Sequence, residues 1–568
     1  MNGSSVEALN RTINDRKSCS PAVKWFLVMI AATGVAFLAG IGGAFALHKT
    51  GIIGAASPPP SPPAATPPIV GVPKICTTKI GGQVIGELDG KPSLTVCDLG
   101  RTAHRLTDLR PGNLYELGAH SPTIKTMWFN PDDKGIDPLP RSQTHEVFFH
   151  QPSRSAYMSN YGLGLLLNVS FDEVGNLIPE AQTWLLNTDS SGVHHVGNGN
   201  SDGLIWISTQ HDGHIHMVDP RNFLNKARYS LKVPTTMTDS TGKNVGIGEP
   251  HSVVPDKSRS DGTVWVTLKG GAPKDMTPKG IAPEVYYAEA ADGLVPPLVF
   301  PEDQKWAVWR IAPTEYGTTK GKAYGGALYE AEVSPGMSAV DQFGNSFHAQ
   351  DATPKVLYIP AGREPGHETV EQIPLPDNTD KARATGDDGY LFNAGGPSVV
   401  ASPSGGVWLC SLTMERGWMM YFAPNSKNIT IPIKLDEIFK VQDEQRVAKF
   451  KAAGGGDDFK IKRRIIHMQF SSHGGPNFDK KFMYLLSSSI ASTADTRETV
   501  IVLEMNNDFS GLKPGGIRRE VLLSAKAGAV HRMSVAEMVG VPAFKRSLLV
   551  SGLTANCLYQ IPLDVLEA

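Results

Sequence analysis

Cysteine is scarce in this chain, at five in 568 residues, which excludes a fold held by a dense disulfide framework. An excess of charge of either sign is also missing. Lysine and arginine total 54 against 56 acidic residues, a net charge of -2, so no basic field exists to attract nucleic acid. Charged residues make up only 19% of the chain, and helical periodicity is persuasive in one place, Leu435 to Lys451. Long apolar runs are missing as well, with one exception, from Trp25 to Leu47.

What remains is rich in turn formers. Glycine numbers 58 and proline 42, in a chain that is 40% apolar and too long for one ordinary domain unless it is built from repeats. The exceptional run, WFLVMIAATGVAFLAGIGGAFAL, is long enough to cross a bilayer as a helix. Arg11, Arg16, Lys17 and Lys24 precede it; after Lys49 no basic residue follows until Lys74. The positive-inside bias therefore predicts a single-pass type II membrane protein. Residues 1–24 form a cytosolic tail, 25–47 a transmembrane signal anchor, and 48–73 a stalk containing the extended SPPPSPPAATPP stretch. The bulk of the chain then faces the secretory lumen or the cell surface. Ala44-Phe45-Ala46 keeps signal cleavage and secretion open as the alternative. In that compartment Cys76 and Cys97 are a candidate disulfide around a glycine-rich hairpin, and Asn168 and Asn428 head glycosylation triplets. Cys410 and Cys557 lie in apolar runs and are expected in the core.

Residues 74–143 are a mixed lead-in. From 144 to 568 a loose repeat appears. Its clearest copies are His251-Ser-Val-Val with Asp261-Gly-Thr-Val-Trp265-Val-Thr, Gly396-Pro-Ser398-Val-Val with Gly405-Gly-Val-Trp408-Leu-Cys, and His195-Val with Asp202-Gly-Leu-Ile-Trp206-Ile-Ser. Each copy is a short apolar segment, a glycine-containing turn and a second segment alternating with period two, which describes a hairpin. Unit starts fall at 145, 195, 251, 348, 397, 467 and 531. Blades of a propeller commonly run ~40–50 residues, so seven units with insertions predict an all-β, seven-bladed β-propeller.

Six starts carry histidine: His145, His195, His251, His348, His467 and His531. Radial closure brings equivalent repeat positions to one end of the axis. These residues, with Gln469 near His467, are the candidate lining of a central funnel suited to metal binding or acid–base work. His214 and His216 alternate onto one face and read as a surface patch.

The segment Gly248-Glu-Pro-His-Ser-Val-Val254 followed by Gly262-Thr-Val-Trp-Val-Thr267 resembles the repeat of the virginiamycin B lyase (streptogramin lyase) family, as does Gly396-Pro-Ser-Val-Val400 with Gly406-Val-Trp408. The resemblance implies a seven-bladed propeller that opens an ester by elimination, with Mg²⁺ and a histidine base. Carried over residue by residue, Glu249 and His251 match the catalytic Glu-Pro-His triplet. Where the family has a second glutamate this chain has Lys269, which puts the metal chemistry in question. The expected activity is elimination of an ester or ether leaving group alpha or beta to a carbonyl, with His251, Glu249 and Lys269 catalytic. The alternatives are a non-catalytic propeller that binds a glycan or protein, and a lactone or ester hydrolase. The expected partner is a small molecule or glycan seated in the funnel.

Overall fold

Short β-branched and aromatic segments separated by Asp-Gly and Ser-Gly turns pair here as antiparallel hairpins, and successive hairpins form separate sheets of four to six strands. The computed structural model describes the chain from Thr144 to Glu567 apart from loops, the longest being 270–303 and 376–396. Before Thr144 it describes backbone strands between Lys79 and Trp128. The segments read as tail, membrane anchor and stalk, and Cys76 of the candidate disulfide, lie outside the described residues. Among the described residues no helix is long and apolar enough to cross a membrane.

Seven blades follow one another. Blade one begins with Thr144–His150 and Ser155–Asn160, and blade two with Val193–Asn198 and Ile205–Thr209. Blade three begins with Glu249–Pro255 and Val264–Lys269, blade four with Pro335–Val340 and Ser346–Gln350, and blade five with Pro397–Ala401 and Val407–Ser411. Blade six begins with Ile465–Phe470 and Lys481–Ser487, and blade seven with Val530–Ala536, Ser547–Gly552 and Cys557–Pro562. The fourth unit thus opens at Pro335, earlier than the Phe347-His348 start expected from sequence. Gly336 and Met337 hold the position given to a histidine elsewhere, and His348 lies in the second strand.

The lead-in belongs to the wheel. Thr123–Trp128 pairs with Cys557–Pro562 and supplies the fourth strand of blade seven. Leu109–Asn113 adds a strand outside it, Gly100–Arg105 extends blade one, Leu94–Asp98 extends blade two, and Tyr115–Glu116 extends blade six.

The core is divided among the seams. Seven clusters of buried apolar side chains each join two neighbouring blades, and Val147, Phe149 and Leu167 against Leu549 and Leu558 join blade one to blade seven. The tryptophans that mark the repeat fill these seams: Trp206 between blades two and three, Trp265 between three and four, Trp408 between five and six. Cys410 and Cys557 are buried in the same clusters, where burial pushes both thiols up to about 12. The expected helical stretch is a short helix, Leu435–Ile438, followed by Lys440–Ala452. Asp443 on the second helix is tied to Arg463 at 2.6 Å, and Arg463 to Glu520 of blade six at 2.9 Å. Both partners of that last pair are buried.

One irregularity positions everything at the axis. In six blades the innermost strand breaks register near its start. Two residues oppose one in blades one, two, three, four and seven, at 145–146, 194–195, 251–252, 336–337 and 531–532; Ile466 is the extra residue in blade six. Such bulges re-aim side chains. A hydroxyl on the second strand accepts from the second bulge residue in four blades; Ser159 does so for Glu146 N–H in blade one, and in the other three the hydroxyl also bonds the next blade. Ser208 Oγ accepts from the N–H of His195 and donates to the carbonyl of His251 in the next blade. Thr267 does the same for Ser252 N–H and the carbonyl of Gly336, and Ser551 for Arg532 N–H and the carbonyl of His145.

Ser551→Ala strands both a donor and an acceptor, so it should lower stability by about 1–3 kcal/mol in denaturant titration. Ser551→Thr, which restores the group used at Thr267, should lose less. His348 supplies a second test. It is fully buried between Ser338 Oγ, 2.7 Å from Nδ1, and Ser346 Oγ, 3.0 Å from Nε2. Burial lowers its pKa from 6.5 to about 3. The folded ring stays neutral while the unfolded ring takes up a proton. Its contribution is therefore present above pH 6.5 and lost as pH falls towards 3. His348→Gln should flatten the acid limb of stability against pH by up to about 1.4 kcal/mol per pH unit, measured by unfolding between those limits.

Candidate functional site at the propeller axis

The bulges present pairs of successive residues where a regular strand would present one. Blade one offers His145 and Glu146, blade two His194 and His195, blade three His251, blade six His467, and blade seven His531 and Arg532. Four imidazoles form a continuous arc. Ring centroids lie 3.6 Å apart for His531 and His145, 4.2 Å for His145 and His194, and 3.8 Å for His194 and His251. Tyr161 stands 5.5 Å from both His145 and His194, and its hydroxyl donates to Gln210 at 3.3 Å.

The opposite side of the ring carries no such groups. Blade four contributes Gly336 and Met337, and blade five Ser398. Arg532 bridges the two sides: its guanidinium lies 3.7 Å from Glu146 of blade one and 3.4 Å from Met337 Sδ of blade four. Glu146 Oε2 also lies 2.7 Å from His195 Nδ1 and accepts from the N–H of Val196.

These contacts set the charges. Burial alone would raise the Glu146 carboxyl, but Arg532 and His195 beside it hold it well below the usual carboxylate range. Burial lowers His145 well below the usual imidazole value, helped by His531, His194, His251 and Arg532. Burial likewise lowers His251, followed by His194, Lys269 and His195, against a small opposing effect of Gly336. Burial and Arg532 lower His467, with Glu146 opposing. At neutral pH these three rings are therefore uncharged beside a guanidinium and a carboxylate.

Two rings have defined tautomers. His251 Nδ1 lies 3.2 Å from the carbonyl of Gly336, which can only accept, so Nδ1 carries the proton and Nε2 keeps its lone pair. His467 Nδ1 accepts from the N–H of Met533 at 3.1 Å, so its proton is on Nε2.

The structure brings His145, His195, His251, His467 and His531 to the bulges. It does not bring His348 there. Gln469 is half-buried further along the innermost strand of blade six. Glu249 and Lys269 are cross-strand partners, both half-buried, at the opening of blade three. Asn168 is 2% exposed within the third strand of blade one, where a glycan has no exit from the folded domain, whereas Asn428 is exposed. His214 and His216 are buried in blade two rather than on a surface patch, against Asp212 at 3.2 Å and Thr209 at 3.0 Å.

Glu146, His194 and Arg532 are missing from the sequence-derived set. Each is adjacent to a histidine that was chosen or doubles it, and a period-two reading turns it to the opposite face. The doubled His194-His195 was the available signal.

The donor set does not suit magnesium. Mg²⁺ requires oxygen ligands in near-octahedral geometry. The axis offers imidazole nitrogens and one carboxylate already engaged by His195, while Glu249 stands opposite Lys269. No step is therefore derived through that ion.

No family model and no curated protein matches this chain. Solved structures similar to it include virginiamycin B lyase from Staphylococcus aureus, with a TM-score of 0.43 and 9% identity over 77% of this chain and 98% of that one. A gluconolactonase from Xanthomonas campestris gives 0.34 and 10% identity over 81% and 97%. A luciferin-regenerating enzyme gives 0.33 and 9% identity over 72% and 97%. None of these likenesses bears on activity, and the seven-bladed propeller itself rests on the strand pairing described above.

Proposed function

We propose that this protein is a propeller enzyme that eliminates an oxygen leaving group from a carbonyl-bearing ester or ether, with His251 as base and His467 as hydrogen-bond donor to the leaving oxygen. The observation that carries this reading is the opposed pair of tautomers: His251 presents a bare Nε2, His467 an Nε2–H. Both rings stand near the start of an innermost strand, in blades three and six, at the same end of the axis. The uncharged state of His251 at neutral pH leaves its Nε2 able to accept a proton, and the neutral His467 offers an N–H as hydrogen-bond donor.

Substrate carbonyl oxygen sits toward Arg532, the fixed cation of the funnel. His251 Nε2 takes the proton alpha to that carbonyl. The C–H electron pair delocalises as an enolate, whose negative charge the guanidinium stabilises. The pair then forms the new C=C bond as the C–O bond breaks; His467 Nε2–H hydrogen-bonds the departing oxygen, and the His251 imidazolium releases its proton to that oxygen or to solvent, which restores the base. The products are an unsaturated carbonyl compound and an alcohol or acid. No water is consumed, which separates this reading from lactone hydrolysis. Lys269, near the opening of blade three, adds positive charge that favours a substrate bearing an anion or electron-rich carbonyls. Glu249, the register partner of Lys269 across the strand pair, is placed to act as a positioning residue.

The cellular setting belongs to the same proposal. The Trp25–Leu47 run anchors the enzyme, and the proline-rich stalk carries it into the secretory lumen or to the cell surface.

His251→Gln and His467→Gln should each lower turnover of a depsipeptide or β-acyloxy carbonyl ester by about 100-fold or more, with the unfolding midpoint retained. The measurement is ultraviolet absorbance of the conjugated product. A saturated hydroxy acid as product, or full activity of His251→Gln, overturns the elimination reading. The anchor is tested separately. Full-length chain should stay with membranes through alkaline carbonate extraction, and a chain lacking residues 1–56 should be released.

A further inference from the structure

We propose that His145, Glu146 and His194 form a binding site for one first-row transition-metal ion, zinc fitting best, distinct from the residues His251 and His467 of the elimination reading. One ligand atom from each of the three residues lies within 4.8 Å of the others, and all three side chains are buried. Their elements fix them. His145 and Glu146 are the two bulge residues of blade one, and His194 opens the bulge of blade two, so a single seam supplies the whole set.

His145 is the observation that points to a ligand. Its ring has no solvent exposure, and neither ring nitrogen has a hydrogen-bond partner. Buried polar groups are almost always satisfied, and an imidazole left unsatisfied at both nitrogens calls for an explanation. If the ring served only to pack between His531 and His194, an apolar aromatic residue would do so without two buried polar atoms. Glu146 is divided in a way that suits a ligand. Its Oε2 is held by His195 and Val196, which orients the carboxylate, while Oε1 makes no hydrogen bond and lies 3.7 Å from Arg532. A carboxylate steadied through one oxygen by a histidine resembles the outer-shell support found around metal ligands.

The donor chemistry selects the ion. Two imidazole nitrogens and one carboxylate oxygen suit zinc, cobalt or nickel and not magnesium or calcium. Bond lengths of about 2.0–2.2 Å place ligand atoms about 3.4 Å apart, so small side-chain rotations would draw the cluster inward. Three protein ligands leave at least one coordination position open toward the funnel, the pattern of a reactive rather than a purely structural metal. A bound cation would also offset the carboxylate charge at the axis and could meet a substrate oxygen. None of this depends on the elimination reading.

The test uses the full chain, stripped with chelator and titrated with Zn²⁺ or Co²⁺ alone. Metal analysis should find one equivalent bound, and Co²⁺ should give the visible absorption of a low-coordinate site. His145→Gln and His194→Gln should each weaken Zn²⁺ binding by more than about 100-fold, beyond the 10–100-fold typical of an outer-shell change. His150→Gln, in the same strand but bonded to Ser153 and Gly203, should bind normally. His251→Gln should also retain the metal, so loss of turnover in that variant bears on elimination alone. Absence of saturable Zn²⁺ and Co²⁺ binding, unchanged binding by His145→Gln, or tighter binding of Mg²⁺ than of Zn²⁺ overturns the proposal.

Discussion

A hydroxyl opposite a bulge governs the centre of this molecule. Ser208, Thr267 and Ser551 each satisfy the N–H of an extra residue in their own blade and bond the matching carbonyl in the next. One small side chain therefore performs two tasks. It lets the innermost strand carry an additional residue without an orphaned amide, and it fixes the angular step between neighbouring blades at the axis. Apolar seams supply most of the attraction between blades, since that term grows with buried area, but area has no direction. The hydroxyl bonds are directional and set where the imidazoles point.

The resulting funnel is polarised. Blades seven, one, two and three contribute the imidazole arc and Glu146, while blades four and five contribute Gly336, Met337 and Ser398. Arg532 spans the difference. Low dielectric strengthens each of these electrostatic contacts and makes any uncompensated group costly. The chain resolves this by keeping His145, His251 and His467 neutral and by placing the buried Glu146 carboxylate between His195 and Arg532. That division gives both proposals their chemistry: proton transfer and hydrogen-bond donation at the rings whose tautomers are set by neighbouring backbone, and ligation at the ring whose nitrogens face neither.

Much of the wheel was legible in the amino-acid order. Trp206, Trp265 and Trp408, each in a second strand after a Gly-containing turn, marked hairpins whose indoles fill the seams. The histidine at each strand start marked the axis in blades one, two, three, six and seven. Blade four was misplaced because Gly336 and Met337 offer no chemical signature, and His348, buried between two serines, supplied a false one. Glu146, His194 and Arg532 escaped for another reason. Alternation assigns neighbours to opposite faces, and nothing local announces a bulge, which depends on a partner strand thirteen or more residues away. The outer strands of the lead-in were illegible because no hairpin partner lies beside most of them in the chain, and Leu109–Asn113 contains Pro111 and Gly112. Their pairing is dictated by sheet edges that lie from tens to hundreds of residues downstream.

The strand Thr123–Trp128 has a consequence for biosynthesis. It emerges from the ribosome before any blade, yet its partner Cys557–Pro562 emerges almost last. At about 5–20 residues per second, the early strand waits on the order of 20–90 s for the edge it must complete. Throughout that interval the nascent wheel is an open arc, with exposed strand edges at both ends. Quality control during synthesis therefore has a clear object to guard, and a chain cut short near Cys557–Pro562 would leave that arc permanently unclosed.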